Sequence, residues 1–387
     1  MDFGLTPDQI LFQNMAREFA AKEMAPHAAS WDEHKIFPKT LLKKAAELGF
    51  LGLYISEDVG GMGMKRLDAS LIFEELAAAC PSTTAYITIH NMVTWMIDTF
   101  GSEELRQTYC PDMVAGLKFG SYCLTEPSAG SDAGSLRSTA EKTRDGWILN
   151  GSKAFISGAG ESDVLVVMAR TGSSGATSDI SAFVVDARAE GISYGENERK
   201  LGWNSQPTRS VSFDNVLIAK SQLLGEEGMG FKIAMRGLDG GRINIGSCSV
   251  GAAQGALNHV HRYMHEREQF GRSLASFQAM QFKVADMLTK LVASRQMIRL
   301  AASKLDGKDK EASSYCAMAK LFATDNGFSI CNEAVQIFGG YGYSREYPVE
   351  RLMRDSRAHQ ILEGTNEIMR VIIARNALAE RGAERIR

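Results

Sequence analysis

No stretch of this chain is apolar over the roughly 18 to 20 residues that a helix needs to cross a bilayer. Its opening, Met-Asp-Phe-Gly-Leu-Thr-Pro, has neither the basic n-region of a signal peptide nor an Arg/Ser-rich amphipathic leader. The chain therefore reads as a bacterial cytoplasmic protein, or as the processed form of a mitochondrial-matrix one. An excess of one charge is also lacking. With 43 basic against 46 acidic residues the formal net charge is -3, without the basic surplus of a general nucleic-acid binder. Cysteine is scarce. Cys80, Cys110, Cys123, Cys248, Cys316 and Cys331 include no Cys-x-x-Cys, which argues against a zinc site or a disulfide framework and for small buried hydrophobes in a reducing compartment. The Rossmann fingerprint is missing as well. Gly-x-Gly pairs begin at Gly61, Gly158, Gly228 and Gly340, but Arg66, Asp163, Ile233 and Arg345 stand where the third glycine is needed. A Walker P-loop is absent too, so any dinucleotide must be held by another architecture.

What the chain does have is length and order. Its 387 residues exceed the size at which one core stops growing, and 44% apolar with 23% charged residues is an ordinary globular balance. From Thr6 to about residue 115 the text is helical. Thr6-Pro7-Asp8-Gln9 spells a capping box with Pro at the first helical position, and Phe12, Met15 and Phe19 follow on one face. Residues 38–48 and 66–79 repeat the pattern around a Gly60-Gly61-Met62-Gly63 loop. Near Phe119 the period changes to short β-branched and aromatic segments at 119–124, 147–149, 154–156, 164–168, 182–185 and 210–216, with Asp145-Gly146 and Asn150-Gly151 as hairpin signals. Strands without intervening helices predict an antiparallel barrel or sandwich. From Gly228 long helices return, and Met280, Val284, Met287, Leu291 and Ile298 have the spacing of a bundle helix. The expected organisation is α+β and multidomain: a helical domain over 1–117, a middle antiparallel β-barrel or sandwich over 118–226, and a C-terminal four-helix bundle over 227–387.

Four segments could carry chemistry. Residues 122–132, Tyr-Cys-Leu-Thr-Glu-Pro-Ser-Ala-Gly-Ser-Asp, leave a strand for a loop of small residues and hydroxyls that a ligand could approach closely. Alone, the segment is equally a plain β-turn. In Phe155-Ile156-Ser157 an aromatic and a hydroxyl two places on could stack on a planar ring and bond its edge, or could be a core Phe and a capping Ser. Gln336-Ile337-Phe338-Gly339-Gly340 closes a helix with a bare backbone surface that suits a phosphate or ribose, or simply ends it. The stretch Ile361-Leu362-Glu363-Gly364-Thr365 puts a carboxylate behind an apolar pair at a helix start, where it serves as a capping residue or as an unusual base.

Taken in order, with Arg-Glu-Gln-Phe-Gly at 267–271 and Glu-Gly-Thr-Asn-Glu at 363–367, these motifs resemble the acyl-CoA dehydrogenase family over nearly the whole chain. The stretches 82–86, 202–209 and 318–325 resemble the isobutyryl-CoA dehydrogenases of valine catabolism within it. The resemblance implies non-covalent FAD. It implies that Tyr122, Leu124, Thr125 and Ser131 line the flavin and that Phe155, Ile156 and Ser157 cover its ring. Arg267, Phe277, Gln278, Gln336, Ile337, Phe338, Gly339 and Gly340 would bind the pyrophosphate and adenosine ends across a subunit interface. Thr365, Asn366 and Glu367 would hold the diphosphate at a helix N-terminus. Ser131, Asp239, Arg242, Gly364 and Arg375 would contact the acyl-CoA. Glu363 would be the base, with the thioester carbonyl held by a flavin ribityl hydroxyl and by the base's own N–H. An electron-transferring flavoprotein as acceptor and a dimer of dimers complete the implied picture. Where the family often has Trp and Thr this chain has Phe155 and Ser157, and its Tyr before the base is Leu362 here; the first two exchanges keep an apolar face and a hydroxyl. Gly241 occupies the position of the base in isovaleryl-type relatives and cannot serve as one, which leaves Glu363. The competing readings are a 2-methylbutyryl- or butyryl-CoA dehydrogenase, an acyl-CoA oxidase, and a DNA-binding relative on the same fold.

Overall fold

The structure, a computed structural model, describes residues 4–379 and 381–386. Its first third is helical. Helix α1 (Pro7–Phe19) starts on the expected capping box, with Thr6 accepting from the Gln9 N–H and the Gln9 side chain accepting from the Thr6 N–H. Helices α2 (Ala28–His34), α3 (Lys39–Glu47), α4 (Arg66–Ala79), α5 (Pro81–Phe100) and α6 (Glu103–Val114) follow. Helix α5 is buried nearly all round, with Thr84, His90, Asn91 and Thr94 inside among its apolar residues, as its central position between other elements requires.

The middle of the chain forms one eight-stranded sheet: β1 (Gly120–Cys123), β2 (Thr139–Lys142), β3 (Gly146–Ser157), β4 (Val164–Arg170), β5 (Ile180–Asp186), β6 (Ile192–Tyr194), β7 (Thr208–Ala219) and β8 (Leu223–Leu224). Strand β4 is buried on both faces. Val164, Val166 and Met168 pack towards the helices, while Leu165, Val167 and Ala169 pack into the core inside the sheet with Trp147, Phe183 and Ile218. The alternation of side chains along a strand makes such a two-sided apolar run possible.

Several local expectations change. The segments 147–149 and 154–156 are a single strand, β3, with irregularities between Leu149 and Gly151 and between Lys153 and Ile156. Asn150-Gly151 is therefore part of a bulge, with Gly151 at φ 140°, and makes no hairpin. The pairing is mostly, not wholly, antiparallel. Strand β1 runs parallel to β4 (Gly120 beside Val164), and β2 touches the same strand further along (Thr139 beside Arg170). The chain follows one edge of β4, leaves it as the loop 124–138, and rejoins it. Strands β2, β6 and β8 are too short to have shown a period.

After Gly230 the chain is helical: α7 (Gly230–Glu266), a small hairpin of β9 (Glu268–Gln269) and β10 (Arg272–Ser273), then α8 (Gln278–Asp306), α9 (Ala312–Phe338), α10 (Val349–His359), α11 (Asn366–Leu378) and the short α12 (Gly382–Arg385). Met287, Leu291 and Ile298 are buried on α8, as their spacing predicts. Helix α7 lies tight against α4, because a Cβ on Gly251 or Gly255 would come 2.2 or 2.3 Å from the carbonyl oxygens of Glu74 and Ala78. All six cysteines are buried. No described helix is long and apolar enough to cross a membrane.

Candidate active site

A cavity of about 840 Å³ opens where the three regions meet, within the usual size of a small-molecule site. Helix α5 contributes Ala85, Thr88, Ile89 and Met92. The sheet contributes Tyr122 from β1, Leu124, Thr125 and Ser131 from the 124–138 loop, and Phe155, Ile156 and Ser157 from the end of β3. Helix α7 contributes Leu238, Arg242 and Ile245, and the turn before α11 contributes Leu362, Glu363 and Gly364.

Glu363 reaches the cavity through its backbone. Helix α10 stops at His359, and the Ile361 and Leu362 N–H groups both close on the Ala358 carbonyl. Glu363 then takes φ 57° and Gly364 φ 87° before Thr365 caps α11 by accepting from the Ile368 N–H. A glutamate in the left-handed region is uncommon, and conformations of this kind cluster at functional sites. Its Oε2 is buried and has no hydrogen-bond partner among the described residues. A Cβ at position 241 would lie 2.4 Å from that oxygen, so the bare backbone of Gly241 makes the space Glu363 occupies. Burial pushes the carboxyl up to about 7, against the pull of the Arg242 and Lys320 cations.

The cations have separate anchors. Arg242 is buried, donates to Asp239 at 2.6 Å and makes a long 3.5 Å hydrogen bond to the Glu363 carbonyl. Ser313 steadies Asp239 from behind at 2.9 Å. Lys320, fully buried on α9, donates to the Gly364 carbonyl at 2.9 Å and to Asn366 Oδ1 at 2.8 Å.

On the sheet side, Phe155 stands at φ 57° with 68% of its surface exposed, a poor place for a ring that only fills a core. Lys153, two residues earlier, is fully buried and holds both the Leu124 carbonyl (3.2 Å) and Glu126 (2.7 Å). Glu126 in turn accepts from the Arg137 and Ser138 N–H groups, so both ends of the loop are tied to one buried ion pair. The Tyr122 hydroxyl is buried without a hydrogen-bond partner among the described residues. Trp203 bridges the 199–207 segment to α10 by donating to His359, whose other ring nitrogen meets Ser249.

The sequence candidates thus divide. Tyr122, Leu124, Thr125, Ser131, Phe155, Ile156, Ser157, Arg242, Glu363 and Gly364 line one cavity. Arg267, Phe277, Gln278 and residues 336–340 do not. The Arg267 guanidinium lies 5.5 Å from the Tyr341 ring, Phe277 packs with Phe270, and Gln278 opens α8. Ile337 and Phe338 are buried core residues, Phe338 stacked on Tyr263 at 4.1 Å, so their backbone alone is available to a ligand. Gly339 and Gly340 face open space. Asp239 sits behind Arg242 outside the cavity lining, the Asn366 side chain is spent on Lys320, Thr324 and Asp325, and Glu367 and Arg375 are exposed on α11. Sequence reading missed Lys320 and the Lys153–Glu126 pair. Both lysines are lone charges beside apolar text, Met-Ala-Lys-Leu-Phe and Ser-Lys-Ala-Phe-Ile, and that isolation was the available signal; Glu126, in Leu-Thr-Glu-Pro-Ser, carries none.

Comparison with known proteins gives a consistent pattern. Models of the acyl-CoA dehydrogenase N-terminal, middle and C-terminal domains match residues 6–117, 121–216 and 228–378. The mitochondrial isobutyryl-CoA dehydrogenase of Bos taurus is 54% identical over 377 residues, covering 97% of this chain and 90% of that protein. Butyryl-CoA dehydrogenase from Megasphaera elsdenii has a TM-score of 0.94 to this chain at 39% identity, covering 98% of this chain and 100% of that one. A solved structure of PigA with FAD and proline has a TM-score of 0.94 at 30% identity, covering 97% of this chain and 98% of that one.

Proposed function

This chain belongs to the acyl-CoA dehydrogenase family and is an oxidoreductase, and from that premise we propose that it dehydrogenates a short branched acyl-CoA, isobutyryl-CoA foremost, with Glu363 as the base. One observation carries the assignment of the base: a carboxylate held in left-handed backbone, with a buried and unpartnered oxygen, beside the cavity.

FAD is the cofactor, and the residues around the cavity suit it. Phe155 offers an exposed ring face, Thr125 and Ser157 offer hydroxyls, and the buried Tyr122 hydroxyl lacks, among the described residues, a partner that a ligand would supply. When bound, FAD supplies the oxidising power, accepting the β-hydride of the substrate. The residues of the chain do the rest. The α-C–H of a thioester is far less acidic than a carboxylic acid, so the base must be strengthened. Burial has already raised Glu363 to about 7, and an acyl chain that expels water from the cavity strengthens it further. The Glu363 N–H donates to the thioester carbonyl and stabilises the negative charge that develops as the carboxylate removes the α-proton. Arg242 holds the turn, Ser131 and Gly364 meet the acyl-CoA at the cavity wall, and Thr365 turns the N-terminus of α11 towards an anionic group. Arg267, Phe277, Gln278 and residues 336–340 belong in this reading to a second subunit's share of the cofactor site, which accounts for their distance from the cavity within one chain. The assembly is then a dimer of dimers, and an electron-transferring flavoprotein is the acceptor.

The specificity rests on the 54% identity to an isobutyryl-CoA dehydrogenase. The dehydrogenase relatives lend no support to the DNA-binding reading. The test combines Glu363→Gln with a substrate panel. The variant should keep FAD and lose something like 10²–10⁴-fold in flavin reduction, the usual weight of a general base. In the unsubstituted enzyme the base must be ionised, so reduction should rise with pH through about 7 and level off above it. Isobutyryl-CoA should lead butyryl- and isovaleryl-CoA in kcat/KM by a graded margin, since one methyl is worth roughly 1–3 kcal/mol. If isovaleryl- or octanoyl-CoA came first, the valine assignment would fall. Undiminished reduction by the variant would move the base elsewhere.

A further inference from the structure

Two consecutive residues with positive φ, Glu363 and Gly364, aim the base, and such a turn persists only where its surroundings over-determine it. We propose that Lys320 is a positioning residue for Glu363: its ammonium clamps the Gly364 carbonyl and so holds the strained turn, and its positive charge stands as the counter-charge of the ionised carboxylate. The inference rests on Glu363 being the base.

The geometry is specific. Lys320 is fully buried, and both of its hydrogen bonds go to neutral acceptors, Gly364 O at 2.9 Å and Asn366 Oδ1 at 2.8 Å. Asn366 is fixed in turn by Thr324 at 2.9 Å and Asp325 at 2.7 Å, so the clamp is anchored one helical turn further along α9. A carbonyl could be held by any neutral donor. A buried ammonium is the expensive choice, because taking a cation out of water costs several kcal/mol unless a charge answers it. The groups that face Glu363 are Arg242 from α7, Lys320 from α9, Tyr54 from the segment before α4 and Tyr122 from β1. Arg242 is already matched by Asp239. Among the described residues Lys320 has no carboxylate bonded to it, with Asp325 and Glu367 only in its wider surroundings. Glu363 is the carboxylate of the very turn that Lys320 clamps, and its buried Oε2 is unpartnered among the described residues, so it is the charge left to answer the ammonium. In keeping with this, burial pushes the Lys320 amine down to about 7 while Glu363 pulls it back up, and Lys320 pulls Glu363 down.

The experiment uses the purified flavoenzyme, with Lys320→Met to remove donor and charge and Lys320→Gln to keep a donor without charge. The carboxyl of Glu363 is followed by difference infrared titration against a Glu363→Gln background, without substrate, and flavin reduction by isobutyryl-CoA is followed against pH. Loss of the cation leaves the carboxylate less stabilised, so both the infrared titration and the rising limb of the rate profile should move up by about one pH unit in each variant. The plateau rate should fall further in Lys320→Met than in Lys320→Gln, because only the latter can still hold the Gly364 carbonyl. If Lys320→Met does not fold, the titration of Lys320→Gln decides alone. A folded variant whose Glu363 titrates as in the unsubstituted enzyme would overturn the inference. An unsubstituted enzyme that titrates normally in the infrared but is reduced by no acyl-CoA would overturn the proposed function instead.

Discussion

At the scale of single residues, the site is a problem of space before it is one of charge. Gly241 is read in the sequence as a position that cannot supply a base. In the folded chain it does more, because a Cβ there would lie 2.4 Å from Glu363 Oε2 and 2.7 Å from its Cδ. Gly241→Ala should therefore push the carboxylate aside without touching the sheet side of the cavity. Misplacement of a reacting group by about 1 Å can cost on the order of 10²-fold. The expected result is a fall in kcat of roughly 10–100-fold with FAD content unchanged, measured by stopped-flow flavin reduction. An alanine variant with full activity would mean that Glu363 reacts from another position. Glu363 itself was legible because a carboxylate behind Ile361-Leu362 has no solvation reason to be there. Lys320 was not, since a single lysine in a helix is nearly always on the surface and only the packing of α9 against the turn buries it.

At the scale of elements, β3 and the loop 124–138 are joined through one buried pair. Lys153 and Glu126 are both almost fully inside, 2.7 Å apart, and Glu126 also takes the Arg137 and Ser138 N–H groups. Removing one member of such a pair leaves the other charge buried and unmatched, at a cost of about 3–5 kcal/mol. Lys153→Met should lower the thermal midpoint and weaken FAD retention together, because the loop and Phe155 depend on the same anchor. Lys153→Met with Glu126→Gln should recover part of the loss in a thermal melt with flavin fluorescence as readout. If the double variant is no better than the single one, the pair does not brace the loop. The irregularities that turn Phe155 outward were hidden in the sequence, where 147–149 and 154–156 read as separate strands. A bulge is an outcome of pairing with β7, and the period of one strand does not contain it.

At the scale of the whole molecule, the apolar residues left uncovered say where more protein belongs. Leu288 and Val292 lie one turn apart on α8 with 48% and 44% of their surface exposed, and Leu300 follows two turns on. Apolar side chains that share one exposed helix face suit a contact with more protein. We expect it to meet a second copy, in line with the proposed dimer of dimers. Leu288→Asp should give a smaller particle by sedimentation velocity, and should release FAD if residues 336–340 of a neighbour complete the cofactor site. An unchanged sedimentation coefficient would place the contact elsewhere.

The amino-acid sequence by itself determined the order of helical, β and helical regions, the start of α1 at Thr6, the core face of α8, and the identity of the candidate base. Each of these depends on residues close together in the chain, through capping, side-chain period or an ordered motif. Only the tertiary structure decided the parallel seat of β1 against β4, the bulged path that exposes Phe155, the spending of Asp239 on Arg242, and the burial of Lys320 and Lys153. Those are relations between segments remote in sequence, and the cost of burying a charge becomes real only when distant elements close over it.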